Sequence, residues 1–238
     1  MSEITLLPWI QQQRLHLSGL CRNPAGVHLV EEMLNTSKIT KYYFAWVCEN
    51  PNAMHIIQRV DESWINWSHL SKNPSARELL ELNPEKIDWL YLNDNHCEWA
   101  VRLLASNPDK IDWKLLSANP YAIDLLKENQ DKIHWSKLCL NPRAGEILDF
   151  TNADMIEKHA DWKSLSANAE LFYQFRDYFR DHNDESPDQW KIFLDWKGLS
   201  ANTHPEALEY LEKNKSRIDW GILSQNPAIF VNTLPVLR

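Results

Sequence analysis

The sequence predicts an all-α protein, an α-solenoid of nine short helix–turn–helix repeats, and three observations lead there. An asparagine recurs nine times in one register. A tryptophan, or a residue standing in for it, precedes each asparagine by six positions. Glycine is scarce, at 5 in 238 residues, which argues against a turn-rich β-sandwich or barrel and against glycine-rich phosphate loops.

The stretch Lys110 to Asn129 is a convenient template. Its tryptophan position is filled along the chain by Leu17, Phe44, Trp67, Trp89, Trp113, Trp135, Trp162, Trp196 and Trp220. Three residues on stand Leu20, Val47, Leu70, Leu92, Leu116, Leu138, Leu165, Leu199 and Leu223. The asparagines are Asn23, Asn50, Asn73, Asn95, Asn119, Asn141, Asn168, Asn202 and Asn226. Tryptophan positions lie 22 to 34 residues apart, a period that means one supersecondary unit per repeat, each stacking on its neighbours.

Each element follows from its residues. Asp88, Asp112, Asp161, Asp195 and Asp219, with Asn66, stand just before their tryptophans, placed to cap a short first helix. Proline follows the asparagine in six repeats. An asparagine N-cap followed by a proline that lacks the N–H orphaned there starts a second helix. Ala122, Ile123, Leu125 and Leu126 give that helix an apolar face at helical spacing. Asn83, Asn107, Asn129 and Asn214 are expected to end it in the left-handed conformation. Helices this short are marginal alone, so stacking must stabilise them, with the tryptophan and the following leucine filling the space between units. The alternative architecture is a leucine-rich-repeat-like solenoid, in which Ile111 and Trp113 lie on a short strand and Asn119 joins a buried ladder. The proline after the asparagine favours helices.

The array divides into an N-terminal cap over residues 1–14, nine repeats over 15–230 with an insertion at about 172–194, and a C-terminal tail over 231–238. Array ends expose stacking surface unless capped. The apolar C-terminal end leaves two readings open, a folded-back cap or a self-association surface.

Net charge is −8, from 33 acidic and 25 basic residues. That field repels phosphate backbones and anionic lipid, so nucleic acid and membrane surfaces are disfavoured as partners. No basic segment followed by an apolar run opens the chain, and no apolar stretch approaches the roughly 20 residues of a membrane span. A soluble, intracellular protein is expected.

The unit Lys-Ile-Asp-Trp-x-x-Leu-Ser-x-Asn-Pro-x-Ala-Ile-x-Leu-Leu resembles the tryptophan-containing repeats found in many copies in proteins of giant and other large DNA viruses. The resemblance covers residues 15 to 230. It implies a viral protein of the host cytoplasm or the virus particle, and no shared activity. The first two units lack the tryptophan, and the seventh and eighth are distorted.

No catalytic, cofactor or metal site is expected. Cys21, Cys48 and Cys139 share the slot filled elsewhere by Ser71, Ser117, Ser166, Ser200 and Ser224, a slot for a small buried side chain. Cys97 alone lies outside it. The histidines are scattered, and His182 with Asp181 and Asp184 is read as a solvated turn. Three residues before the tryptophan position runs a basic stripe of Arg14, Lys41, Lys86, Lys110, Lys132 and Arg217, with His159 in the seventh unit. It lines up to meet phosphates or an acidic partner, or else each cation complements the end of a preceding helix. The insertion supplies Phe172, Tyr173, Phe175, Tyr178, Phe179 and Trp190, aromatics of the kind that anchor a protein partner or extend a helix into the core. A non-catalytic scaffold for a protein partner, a host factor if the viral resemblance holds, is the functional expectation. A particle component and a weak nucleic-acid binder are the alternatives.

Overall fold

A computed structural model describes residues 3–11, 14–174, 177–178 and 194–233. Among these the chain is predominantly α-helical. In order it forms β1 (Glu3–Leu6), α1 (Leu17–Arg22), α2 (Val27–Asn35), α3 (Lys41–Glu49), α4 (Met54–Ile57), α5 (Trp67–Ser71), α6 (Arg77–Glu81), α7 (Trp89–Leu92) and α8 (Glu98–Ala105). Then come α9 (Trp113–Leu116), α10 (Ile123–Glu128), α11 (Trp135–Leu138), α12 (Ala153–His159), α13 (Trp162–Ala167), α14 (Trp196–Ala201), α15 (Pro205–Lys213), α16 (Trp220–Leu223) and β2 (Phe230–Thr233). Residues Met1–Ile87 with Glu209–Arg238 make one compact unit, and Asp88–Leu208 a second.

The repeat logic holds locally in both. Asp112 Oδ1 accepts from the N–H groups of Lys114 and Leu115 at the start of α9, and Asp88 and Asp161 do the same for α7 and α13. The leucine three residues on is at most 4% exposed in every repeat, and each such side chain contributes roughly 1.5–3 kcal/mol by burial. The second half opens with a 3-10 turn: Asn119 caps Pro120–Ala122, its Oδ1 accepting from the Tyr121 N–H, before α10 begins. Residues 111–119 therefore hold a helix and a turn where the leucine-rich-repeat alternative requires a strand.

Two local expectations are revised. Asn83, Asn107, Asn129 and Asn214 do not adopt the left-handed conformation; their φ values lie near −130°. Each instead turns its Nδ2 back to the carbonyl four residues earlier, at 2.8–2.9 Å on Leu79, Leu103, Leu125 and Tyr210. That satisfies a helix-end carbonyl without a strained backbone. The tryptophans are only partly buried, and the fully buried member of the pair is the leucine. In the fourth repeat the second helix, α8, is capped by Cys97, whose sulfur accepts from the Ala100 N–H at 3.4 Å.

The asparagine does more than cap. Every copy is at most 3% exposed, and within each unit the Nδ2 of Asn50, Asn73, Asn119, Asn141, Asn168 and Asn202 reaches the preceding repeat. In the second unit Asn141 donates to the Ser117 and Asn119 carbonyls at 3.1 and 2.8 Å, and Asn168 to those of Cys139 and Asn141 at 3.0 and 2.8 Å. In the first, Asn50 donates to Cys21 and Asn23, and Asn73 to Cys48 and Asn50. The serine–cysteine slot runs beside it. Ser117 Oγ donates to the Trp113 carbonyl at 2.7 Å and accepts from the His134 N–H at 3.0 Å. Both lines of polar side chains satisfy buried backbone groups, as burial requires.

In the first unit the ninth repeat meets the first as the first meets the second. Asn23 Nδ2 donates to the Ser224 and Asn226 carbonyls at 3.1 and 3.2 Å, and the His16 N–H donates to Ser224 Oγ at 2.8 Å. β1 pairs antiparallel with β2, Glu3 opposite Thr233 and Leu6 opposite Phe230. Of the two readings left open for the C-terminal end, folding back is the one seen at residues 230–233.

Candidate functional site

Two repeat positions differ widely in side-chain type from repeat to repeat: the second and fifth residues after the tryptophan position. In the first unit they hold Trp46 and His69, and Arg22, Glu49 and Gln225. They form one cluster. The Glu49 carboxylate, with 7% of its side chain exposed, pairs with Arg22 Nε at 3.2 Å and with His69 Nδ1. Arg22 Nη1 donates to Gln225 Oε1 at 3.1 Å. The Arg22 guanidinium also lies 5.7 Å over the Trp46 ring, and the His69 ring meets the same indole edge-on at 6.3 Å.

Trp46 has aromatic company because of how α3 starts. The second repeat reads Lys-Tyr-Tyr-Phe where others have Lys-Ile-Asp-Trp. Without the aspartate cap, helix begins at Lys41, three residues ahead of Phe44. Tyr42 and Trp46 are then four apart on one face, where side chains meet. Their rings lie 4.8 Å apart at 84°, with Tyr43 at 5.3 Å from Tyr42 and 5.8 Å from Trp46. Phe44 takes the tryptophan position and is buried, edge-on to Trp64 at 5.5 Å. Tyr42 is left 69% exposed. The result is a cluster of three rings, Tyr42 edge-on to the other two, beside the Arg22 guanidinium.

In the second unit the same two positions hold Leu115, Ala118, Lys137 and Leu140, with Asp94. They line a groove of about 370 Å³ with His96 and Pro142. Its lining mixes apolar Leu115, Ala118, Leu140 and Pro142 with Asp94, His96 and Lys137.

The basic stripe has a structural occupation that neither reading of it anticipated. Lys86 Nζ lies 4.5 Å over Trp67, Lys132 Nζ 4.6 Å over Trp113, and the Arg14 guanidinium 4.8 Å over Trp220. In each case the cation of one repeat covers the half-exposed indole of the repeat before it. His159 does this as a flat ring, stacked on Trp135 at 3.7 Å; burial and the nearby Lys158 push its pKa down. Lys41, whose predecessor has Leu17 at that position, turns to Trp64 at 5.9 Å and Ser63 Oγ at 2.8 Å. Lys110 pairs with Asp109 at 2.9 Å, and Arg217 is exposed.

Of the insertion aromatics, Phe172 is fully buried and stacks on His204 at 5.3 Å, so it is a core residue with no face to offer a partner. Tyr173 is 48% exposed and meets His204 edge-on at 4.5 Å, while Tyr178 leans on Trp162 at 5.4 Å. Phe175, Phe179 and Trp190 lie outside the described residues, as do His182, Asp181 and Asp184. Burial pushes the Cys21 thiol up to about 12 and the Cys48 and Cys139 thiols to about 11, which keeps them protonated and unreactive. Among the described residues no group of three histidine, cysteine or acidic side chains is placed to hold a metal, and no helix is long and apolar enough to cross a membrane.

No family model, curated protein or solved structure matches the chain. The cluster on α3 was passed over in the sequence because the second repeat's missing tryptophan reads as an end effect. The signal was there: Tyr42 and Tyr43 stand where most repeats carry isoleucine and aspartate, and Trp46 follows them four and three residues on.

Proposed function

We propose that the protein is a non-catalytic α-solenoid scaffold that binds a protein partner through the aromatic face of α3. The observation that carries this reading is Tyr42 held edge-to-face with Tyr43 and Trp46, with the Arg22 guanidinium over the Trp46 ring. Tyrosine, tryptophan and arginine are the residue types that dominate interface energetics, and rings ordered before binding lose little entropy on contact. The resemblance to repeats of large DNA viruses would make that partner a host factor. Sequence-tolerant nucleic-acid binding is a weaker reading, since several stripe cations already lie over indoles. Assembly within a particle draws support from the joint between the ninth and first repeats.

The test is affinity capture from host-cell extract with the wild-type chain and with Tyr42→Ala/Trp46→Ala. A stoichiometric protein recovered by the wild type and lost by the double variant, whose circular dichroism is unchanged, supports the reading. A partner retained by the variant, or turnover of a substrate by the purified protein, defeats it.

A further inference from the structure

We infer that the joint between the ninth and first repeats is a head-to-tail docking surface that a second copy of this chain can occupy, kept filled by the chain's own end. The joint is built like the internal ones. Asn23 bonds the Ser224 and Asn226 carbonyls as Asn50 bonds those of Cys21 and Asn23. The internal pair is 27 and 29 residues apart in sequence, whereas this one is 201 and 203 apart. Nothing covalent enforces it locally, so its contacts alone hold it together. They are numerous: His16 on Ser224, Arg14 over Trp220, Arg22 on Gln225, and the β1–β2 pair.

The fit is also close. A Cβ on Gly19 would stand 2.6 Å from the Ser224 Cβ, so this surface accepts its partner only with glycine at that position. The two faces are different and complementary. A second copy therefore presents to the first repeat what the chain's own ninth repeat presents, a heterologous contact that propagates head to tail. Ends tethered within one chain meet at an effective concentration of roughly millimolar, so closure in cis wins in dilute solution. Exchange between copies becomes visible when cis closure is blocked and one good pair of faces remains.

Two variants create that situation. Gly19→Leu spoils the first-repeat face and leaves the ninth intact; Ser224→Leu does the reverse. Energy transfer between dyes at the two chain ends reports whether each has opened. Each alone should open, keep its helical circular dichroism and run as a monomer. Mixed at on the order of 10 µM, well below the effective concentration of tethered ends, they should form a 1:1 dimer of twice the chain mass. The wild type should stay monomeric. Opened, folded variants that remain monomers when mixed would overturn the inference, as would ends that stay closed in both. Should Gly19→Leu fail to fold, Asn23→Asp replaces it. It keeps the acceptor for the Ala25 N–H while turning a carboxylate oxygen on the two carbonyls it should donate to.

Discussion

The two units use one repeat to present different chemistry. In the first, the second and fifth positions after the tryptophan slot carry Trp46, His69, Arg22 and Glu49, joined by ion pairs and ring contacts. In the second, the same positions carry Leu115, Ala118, Lys137 and Leu140 around a shallow groove. Around these the constant residues are alike: buried leucine, buried asparagine, and a serine, cysteine or asparagine between them. The positions that repeat carry the buried backbone bonding, and the side chains that distinguish the two units sit at the two that do not. Backbone satisfaction tolerates only asparagine, whereas a solvent-facing position tolerates any side chain that does not disturb its neighbours.

The sharpest way to break that division is to strike the constant part. Asn141→Ala removes two donors to buried carbonyls and the acceptor for the Arg143 N–H, which should cost on the order of 3 kcal/mol. Urea denaturation should show it, and Asn73→Ala in the other unit should cost as much. Tolerance of either would mean that the ladder is not what joins the repeats.

Next come the glycines. Gly19→Ala puts a methyl 2.6 Å from the Ser224 Cβ, an overpacking expected to cost about 1–3 kcal/mol. Gly145→Ala meets only the flexible Leu171 Cδ2 at 3.3 Å and should leave the melting temperature nearly unchanged. Equal effects would remove the argument for a tight joint.

Glu49→Gln tests the variable part. It strips the carboxylate shared by Arg22 and His69; both partners are partly in water, so the loss should be only about 1–2 kcal/mol. A larger loss would move Glu49 into the constant structure.

The smallest effects belong to the cations over the indoles. Lys132→Ala should cost about 0.5 kcal/mol in a denaturation series. His159, with its pKa pushed below the ordinary histidine value, favours the neutral form when folded. Its contribution is complete above that ordinary value and is lost as pH falls through the folded-state value. Mild acid should therefore lower the wild-type midpoint slightly, and a His159→Gln variant should show less of that slope.

Much of the repeat was legible because it rests on local chemistry. The Asp112 cap, the Asn119–Pro120 start and the spacing of Leu116 depend on backbone within a few residues. What failed were inferences about partners far along the chain. Trp113 is large and apolar, so burial was the natural expectation; its neighbour's Lys132 offers a second way to cover it, at the surface. Asn83 has a familiar helix-ending role in the left-handed region, but its reach to the Leu79 carbonyl serves the same end. The site on α3 was hidden because a departure from a repeat looks like decay until its rings are seen to meet.

By itself the sequence determined the period, the helical character, the caps and the leucine core, since each follows from hydrogen bonding and burial within one unit. Only the tertiary structure decided that the ninth repeat precedes the first and that Arg22, Trp46, Glu49 and His69 share one surface. The physical reason is range. A cap or an apolar stripe is a property of neighbouring residues, whereas a hydrogen bond spanning 201 positions joins segments that lie far apart in the chain.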